Sequence, residues 1–568
     1  MRVGFLVIAA VLSVFGGRLL QLQGVDPGQY AAMAAAENTV EIVLPAERGD
    51  ILDRRGEPLA ASVEGLMVVG DPSETGAQAP EIATFLAQRL GVDYFETLSR
   101  LRKKDSKFQY LARRVPSTLA TDVMAEAEAA GLEGLSTRRD PVRTYPADDV
   151  AANLIGFVGT DEALGGFERT FDTYLSGKDG TARYEADAGT RIPLGDNTTV
   201  EAVDGKDLRT TIDRELQWYT QGVVRQAVLE AGGESGLAAI MDTRTGEVLA
   251  LADYPTYDAN KPGDYPRRDR GARSLNDHYE PGSVEKVLTL SALVDAGKVT
   301  ARTRLRVPGE LERQDRTIHD YFEHGLLRMT LAGVMAKSSN IGTVLAADRF
   351  DPGQLRSYLT KFGLGTPTGV GIGAEAPGLL PSGPAWTSQT ADRIAFGQSL
   401  SVNALQMTAA VNTIANGGRY VSPSLVSGSA TMDDGTVVGT DTSRTRRVVS
   451  EDAATQTMRM MERVIDPEVG VAPGAAVPGY RVAGKTGTAQ RASSACGCYD
   501  GTFTVSFGGF APADDPRFTI YVAVQAPRNG GGGGSVAGPV FSKLMAYTLE
   551  RYGVRPTGTR PSQLPTTW

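Results

Sequence analysis

The sequence predicts a multidomain protein of the mixed α/β class, assembled from α+β modules. Three observations carry that reading. The chain has 568 residues, too many for one ordinary domain and ample for large cores. Amphipathic helical stretches alternate with short apolar strands through its first third. From about Leu208 the texture shifts to longer apolar runs joined by turn signals, as a second core requires.

Composition narrows the class. Hydrophobic content of 41% and charged content of 22% fit a folded, water-exposed bulk, against a disordered chain or a polytopic membrane protein. A net charge of −9 and a pI near 5.2 disfavour nucleic acid as a partner, because phosphate binding needs clustered Lys and Arg. The basic run from Arg100 to Lys107 reads as a solvated face.

Residues 3 to 17 form an uncharged apolar run that Arg18 interrupts before Leu19, Leu20 and Leu22. A span needs about 20 mainly apolar residues, and a flanking Arg can snorkel to the interface. The small residues Ala31 to Ala36 lie too far beyond the run for a cleavage site, which favours an uncleaved anchor over a signal peptide. Arg2 and Arg18 flank both ends, so charge does not set the orientation.

An Ala-rich helical stretch and the strand Val40 to Leu44 follow. Arg48-Gly49-Asp50-Ile51-Leu52-Asp53-Arg54-Arg55-Gly56 reads as a strand and a tight turn. Helices at Ile82 to Leu90 and Leu119 to Ala130 flank the strand Phe108 to Arg113, and Gly189 to Lys206 reads as a linker or exposed hairpin. The second module opens with a helix from Arg214 to Ala231 and a hairpin, Leu237 to Met241 and Val248 to Leu251, turning at Thr245-Gly246. Strands at Phe503 to Gly509 and Phe518 to Val524 come next, then a helix opened by Pro539, which suits a first turn that needs no N–H donor. Gly530 to Gly534 lacks the G-K-[ST] of a phosphate loop and reads as a flexible surface loop. Pro556 to Trp568 reads as disordered. The two cysteines, Cys496 and Cys498, are compatible with a short-range disulfide or with free thiols. A structural zinc site is disfavoured, since it needs four ligands and His278, His319 and His324 are remote in sequence.

Three short segments carry the chemistry. Ser283 follows Glu280-Pro281-Gly282 and opens a helix apolar nearly all round, which places it at the N-terminus of a buried helix where developing negative charge is favoured. A lone serine there is usually an N-cap. Lys286, one turn on, brings an amine to the same face, and burial would lower its pKa toward that of a general base. The competing reading is a lysine snorkelling or paired with Glu285 or another carboxylate. Ser338 and Asn340, after a short helix, offer a hydroxyl to relay a proton and a carboxamide to hold a peptide; the bland alternative is a polar helix end. Lys485-Thr486-Gly487-Thr488 follows a strand-like run. Small residues on an edge strand let an extended peptide pair with the backbone while Lys485 attracts an anionic group; the alternative is an ordinary strand with an exposed lysine.

These segments, in this order and with their flanks, resemble the class B penicillin-binding proteins. The likeness extends to Arg48 through Ala60, Arg143-Thr144-Tyr145-Pro146, Ile155 to Gly159, Gly166-Phe167-Glu168, Phe396-Gly397-Gln398-Ser399, Leu405-Gln406-Met407, Ile414 to Gly418 and Val482 to Gln490. It implies a membrane anchor helix (1–24), a pedestal or dimerisation domain (25–207), a transpeptidase domain (208–552) with an antiparallel sheet flanked by helices, as in the serine β-lactamases, and a disordered tail (553–568). It further implies that Ser283 attacks the D-Ala-D-Ala amide of a peptidoglycan stem peptide to form an acyl-enzyme. Lys286 would take the serine proton, Ser338 would pass one to the leaving nitrogen, and Asn340 would orient the peptide. Lys485, Thr486 and Thr488, around Gly487, would bind the carboxylate. Backbone N–H groups of Ser283 and Thr488 would form the oxyanion hole, each worth about 3 to 4 kcal/mol. No metal or organic cofactor is expected, and β-lactams should acylate Ser283. Val284 stands where the family commonly has Thr, and Glu285 where it often has an aromatic residue.

The short pedestal and the stretch Arg18 to Gln23 look more like the cell-division (FtsI) type than the elongation type. That implies an extracytoplasmic catalytic domain anchored in the cytoplasmic membrane, beside a glycan polymerase of the SEDS type and other divisome proteins. The alternatives are a D,D-carboxypeptidase or β-lactamase-like hydrolase using water as acceptor, an elongation transpeptidase, and a non-catalytic β-lactam sensor or scaffold. A pedestal of this length is surplus for a simple hydrolase.

Overall fold

The computed structural model describes residues 2–21, 39–104, 106–159, 162–187, 190–191, 197–314, 316–373, 375–492, 496 and 498–568. The chain folds into two compact units. The smaller comprises Met1–Gly49, Ser62–Val142 and Ser176–Lys206; the larger comprises Asp50–Ala61, Arg143–Leu175 and Asp207–Trp568. The larger unit thus takes up two stretches that the sequence groups with the pedestal.

In the smaller unit, an antiparallel sheet has Gly65–Gly70 at its centre, with Gln109–Pro116 and Leu135–Arg139 on either side. The helix Ala79–Leu90 turns Ile82, Ala83 and Leu86 inward at helical spacing, and Ser117–Ala129 adds Ala120 and Val123; both close on Val68 and Leu111 of the sheet. A second ladder pairs Thr39–Leu44 with Gly180–Asp187. Within the expected linker 189–206, Thr198–Val200 is a short strand on that ladder. The Ala-rich stretch and the cluster Ala31 to Ala36 lie outside the described residues, apart from the strand 39–44 at the end of that stretch. A 19-residue helix spans Arg2–Leu20. Among the described residues no helix is long and apolar enough to cross a membrane.

The larger unit is built around five antiparallel strands: β1 Ser235–Asp242, β2 Val248–Tyr254, β3 Ala483–Ala492, β4 Tyr499–Ala511 and β5 Phe518–Gln525, in the order β2-β1-β5-β4-β3. β1 is buried along its whole length because helices cover both faces of the sheet, which explains its unbroken apolar run. On one face lie α1, Arg214–Ala231, and α7, Ala537–Arg551, joined by the stacked rings of Tyr219 and Tyr547. Asp213 caps α1, its carboxylate accepting from Leu216 N at 3.2 Å. α7 begins two residues before Pro539, which still falls in the first turn. The other face carries α2, Lys286–Asp295, and α5, Ala404–Ala415, with α3, Leu331–Lys337, α4, Asn340–Ala347, and α6, Glu451–Ile465, around them.

A second core in this unit gathers Ile51, Leu59, Tyr145, Phe167 and Phe171 with Tyr257 and Leu405. Here the segments at 48–60, 143–146 and 166–168 find their physical reason. Asp53 Oδ1 accepts from Arg55 N and Glu57 N, closing the turn, while Ile51–Leu52 pairs with Leu208–Arg209. Arg143 Nε donates to the fully buried Glu168 at 2.7 Å, and Tyr145 Oη donates to the same oxygen at 3.3 Å.

The tail corrects the sequence reading. Pro556 to Trp568 was expected to be disordered for its Pro and Thr content, yet its groups are tied down. Thr330 N donates to Thr566 O at 3.1 Å, Ser562 N to Glu462 at 3.2 Å, and Trp568 Nε1 to Met329 O at 3.1 Å. Composition misled because the stability of this segment comes from distant partners and not from its own sequence. Of the two alternatives left open for the cysteines, Cys496 and Cys498 form the disulfide.

Candidate active site

The three motif segments meet in a cleft of about 520 Å³ lined by Ser283, Ser338, Asn340, Thr486, Thr488 and Gly533, among others. Ser283 lies in a 3-10 turn, Gly282–Val284, that leads straight into α2. The turn is pinned from two sides. Gly282 N donates to Gly397 O at 3.0 Å, and Glu280 accepts from Ser399 N at 2.9 Å and from Tyr499 Oη at 3.1 Å. On the strand side, a Cβ on Gly487 would fall 2.2 Å from Ser506 Oγ and 2.8 Å from Pro281 O, so only glycine lets β3 approach the Ser283 turn this closely.

β3 is the edge of the sheet, as the K-T-G reading requires. The alternative reading, an ordinary strand with an exposed lysine, is not what the strand carries. Lys485 is fully buried, its Nζ donating to Ser338 Oγ at 2.8 Å and to Thr486 O and Oγ1 at 3.2 Å. Thr486 is buried and Thr488 exposed on the same strand.

Lys286 is fully buried as well. Its Nζ donates to Ser338 O at 2.6 Å and Asn340 Oδ1 at 2.7 Å, and approaches Ser338 Oγ at 3.4 Å. Burial pulls this amine down to about 7, against the opposing pull of Asp320 and Glu285. Two short bonds use both N–H groups of a neutral amine and leave its lone pair for a hydroxyl proton. Glu285 is no salt-bridge partner: burial holds its carboxyl well above the usual range, with Thr289 Oγ1 donating to it at 2.7 Å. Burial, and then the proximity of Lys286, holds Lys485 well below the usual lysine range.

Ser338 adopts the left-handed conformation, φ 57°, as it ends α3. A non-glycine residue held there costs about 1 kcal/mol and marks an over-determined turn. Asp320, which no motif flags, holds the residues that follow. Its Oδ1 accepts from Asn340 N at 2.6 Å and Ile341 N at 3.0 Å, and its Oδ2 from Ser339 Oγ at 2.7 Å. His324 Nε2 lies 3.1 Å from the same Oδ2. Ser339 in turn caps α4 through Gly342 N at 2.8 Å.

The glycine run 530–534 also departs from the sequence reading. It is not simply a surface loop: Gly533 is buried against β3 and β4, its N–H directed to Thr488 Oγ1 at 3.3 Å, and Gly532 to Gly534 line the cleft. Among the described residues no group of His, Cys, Asp or Glu is arranged to hold a metal ion.

Comparison with known proteins agrees with this geometry. Residues 236–546 match the penicillin binding protein transpeptidase domain, and residues 43–210 match the penicillin-binding protein dimerisation domain. The penicillin-binding protein PbpB of Mycolicibacterium smegmatis is 35% identical over 591 residues, covering 97% of this chain and 90% of the relative. The peptidoglycan D,D-transpeptidase FtsI of Escherichia coli is 30% identical over 558 residues, covering 97% and 91%. The crystal structure of penicillin binding protein 3 from Mycobacterium tuberculosis, complexed with aztreonam, superimposes with a TM-score of 0.71 at 30% identity, covering 93% of this chain and all of that one.

Proposed function

The chain belongs to the class B penicillin-binding proteins and is a peptidoglycan D,D-transpeptidase, and from that premise we propose that Ser283 is its nucleophile and Lys286 its general base. The observation that carries the assignment is the buried Lys286 amine, brought to about 7 one helical turn from Ser283.

The reaction follows from these groups. A stem peptide lies along β3 with its terminal carboxylate at Thr486 and Thr488 and its amide held by Asn340. Ser283 Oγ attacks the D-Ala-D-Ala carbonyl as Lys286 Nζ takes the hydroxyl proton, and backbone N–H groups of Ser283 and Thr488 stabilise the oxyanion. Collapse breaks the C–N bond, and the departing D-Ala nitrogen takes a proton through Ser338, which both lysines approach. An amine of a neighbouring stem peptide then attacks the ester, returns Ser283 and leaves a cross-link. A β-lactam presents a similar carbonyl and carboxylate, so it acylates the same serine.

The likeness to the FtsI-type relatives supports a septal role, with the catalytic unit outside the cytoplasmic membrane and a SEDS-type glycan polymerase beside it. The test is adduct formation. A fluorescent penicillin should label the wild-type chain at Ser283 and leave Ser283→Ala unlabelled, and purified enzyme should release D-Ala from a stem peptide only with Ser283 intact. Labelling that persists in Ser283→Ala would overturn the assignment, and label spread evenly along the side wall of dividing cells would overturn the septal role.

A further inference from the structure

Glu280 takes no part in the proposed reaction, yet three separate stretches of the chain meet on its half-buried carboxylate. The first is its own, Glu280-Pro281-Gly282, which leads straight to Ser283. The second is Phe396 to Ser399, whose last backbone N–H donates to Glu280 Oε1 at 2.9 Å. The third is the start of β4, where Tyr499 Oη donates to the two carboxylate oxygens at 3.1 and 3.2 Å. Burial raises the Glu280 carboxyl above its usual range, against the pull of these two donors and the positive field of Arg393, which faces it from the helix Ser388–Ile394. Burial, and then Glu280 itself, lifts the Tyr499 hydroxyl to about 12, so it stays a neutral donor at any pH used for assay.

The first two stretches are laced together on both sides of Glu280. Before it, Tyr279 and Val402 exchange both backbone bonds, at 3.0 and 2.9 Å. After it, Gly282 N donates to Gly397 O at 3.0 Å, and a Cβ on Gly397 would fall 1.8 Å from Gly282 O. Ser399 lies between those two contacts with φ 61°, a left-handed conformation that a non-glycine residue keeps only where its surroundings impose it. Its N–H is the one that Glu280 accepts. The same segment lends Phe396 and Gln398 to the lining of the Ser283 cleft, so one carboxylate ties the turn that carries Ser283 to residues that shape its surroundings.

We propose that Glu280 is a positioning residue of the acylation step: by accepting from Ser399 N and Tyr499 Oη, it holds the segment Phe396 to Ser399 and the start of β4 against the Ser283 turn, and so fixes the nucleophile relative to the cleft lining. This rests on the Ser283 reading. The hydrogen bonds of Glu280 go to neither Ser283 nor the two buried lysines, so it acts through the backbone that it ties and not on the reacting atoms. Loosening such a tie misplaces the attacking oxygen, which slows the chemical step more than it weakens binding. A residue that only stabilised the fold would lower the fraction of enzyme that acylates and its unfolding temperature, and leave the rate constant of the folded fraction unchanged.

Stopped-flow acylation by benzylpenicillin at one fixed pH, carried to saturation, separates the limiting rate from the half-saturating concentration, and intact-protein mass spectrometry reports the Ser283 adduct. Glu280→Ala should lower the limiting rate by roughly 10- to 100-fold and move half-saturation by less than about threefold. Glu280→Gln keeps an oxygen for Ser399 N and an amide for Tyr499 Oη, and should lose only about threefold. Tyr499→Phe should slow the limiting rate by about 3- to 10-fold in the wild-type background and add nothing in Glu280→Ala, since the hydroxyl acts through the carboxylate. An undiminished limiting rate in Glu280→Ala, or a Tyr499→Phe effect of equal size in both backgrounds, would overturn the positioning role alone. So would a Glu280→Gln as slow as Glu280→Ala, because the charge facing Arg393 would then matter and not the accepted bonds. Tyr499→Phe removes a single hydroxyl, so an unchanged limiting rate in that variant overturns the role even where Glu280→Ala does not fold. Absence of a Ser283 adduct from the wild-type protein would overturn both this role and the reading on which it rests.

Discussion

Lys286 and Lys485 reach one oxygen from two sides: Lys485 Nζ lies 2.8 Å and Lys286 Nζ 3.4 Å from Ser338 Oγ, and both amines are fully buried. Two ammonium groups that close, removed from water, cannot both keep their charge, so the site itself forces a neutral amine into being.

The first consequence is a pH profile. Burial depresses Lys286 to about 7, so the neutral, proton-accepting form is about a tenth of the population at pH 6 and about nine tenths at pH 8. The second-order rate of acylation by benzylpenicillin should rise about tenfold per unit below that point and level off above it. Stopped-flow measurement between about pH 5 and 9 checks this. A flat profile, or a rise that begins only above about pH 9, would remove Lys286 as the base.

Asp320 should act through the turn that it holds. Asp320→Ala leaves Asn340 N, Ile341 N and Ser339 Oγ without their acceptor, at about 1 to 3 kcal/mol for each buried group left unpaired. Acylation efficiency should fall by roughly 10- to 100-fold as Asn340 loses its position, since small misplacements of positioning groups are costly. A merely structural residue would stop there. Asp320 also favours the charged form of Lys286, so its removal should move the acylation midpoint toward lower pH; an unmoved midpoint would count against this coupling.

How far these features were legible in the sequence depends on where their causes lie. Ser283 and Lys286 are written within one helical turn, so spacing and apolar pattern exposed them. The hairpin at Thr245-Gly246 and the helix Arg214–Ala231 were legible for the same reason. Asp320 was not, because its partners lie about twenty residues on and any aspartate would satisfy a loop pattern. Gly533 and the C-terminal segment were misread because what orders them is supplied by β3, β4 and the Leu305 and Met329 region, far away in the chain.

The Arg143–Glu168 pair gives a stability prediction. Glu168 is fully buried and Arg143 nearly so, and burial beside Glu168 pushes the Tyr145 hydroxyl well up. Glu168→Ala removes the 2.7 Å partner of a buried guanidinium and leaves it Asp50 at 3.8 Å, which costs up to about 3 to 5 kcal/mol, whereas Arg143→Met/Glu168→Leu should lose far less because the buried charge goes with its partner. Thermal unfolding of the larger unit should show the double variant above the single one. The reverse order would mean that the pair is not the dominant contact of this core.

Gly333 tests whether the C-terminal segment bears on the helix that ends in Ser338. Its position in α3 has ordinary helical geometry, so replacement by alanine should by itself stabilise the helix by about 0.5 to 1 kcal/mol. In the intact chain, however, a Cβ there would lie 1.9 Å from Thr566 O, which Thr330 N at the start of α3 also binds. The segment would have to lift away, releasing Trp568 from Leu305 O and Met329 O and its ring from the guanidinium groups of Arg304 and Arg328. Gly333→Ala should therefore destabilise the full chain and stabilise a chain truncated after Gly558. Comparing the four proteins by thermal unfolding gives the interaction between the two changes directly. Equal effects of Gly333→Ala in both backgrounds would show that the tail does not rest on α3 in solution.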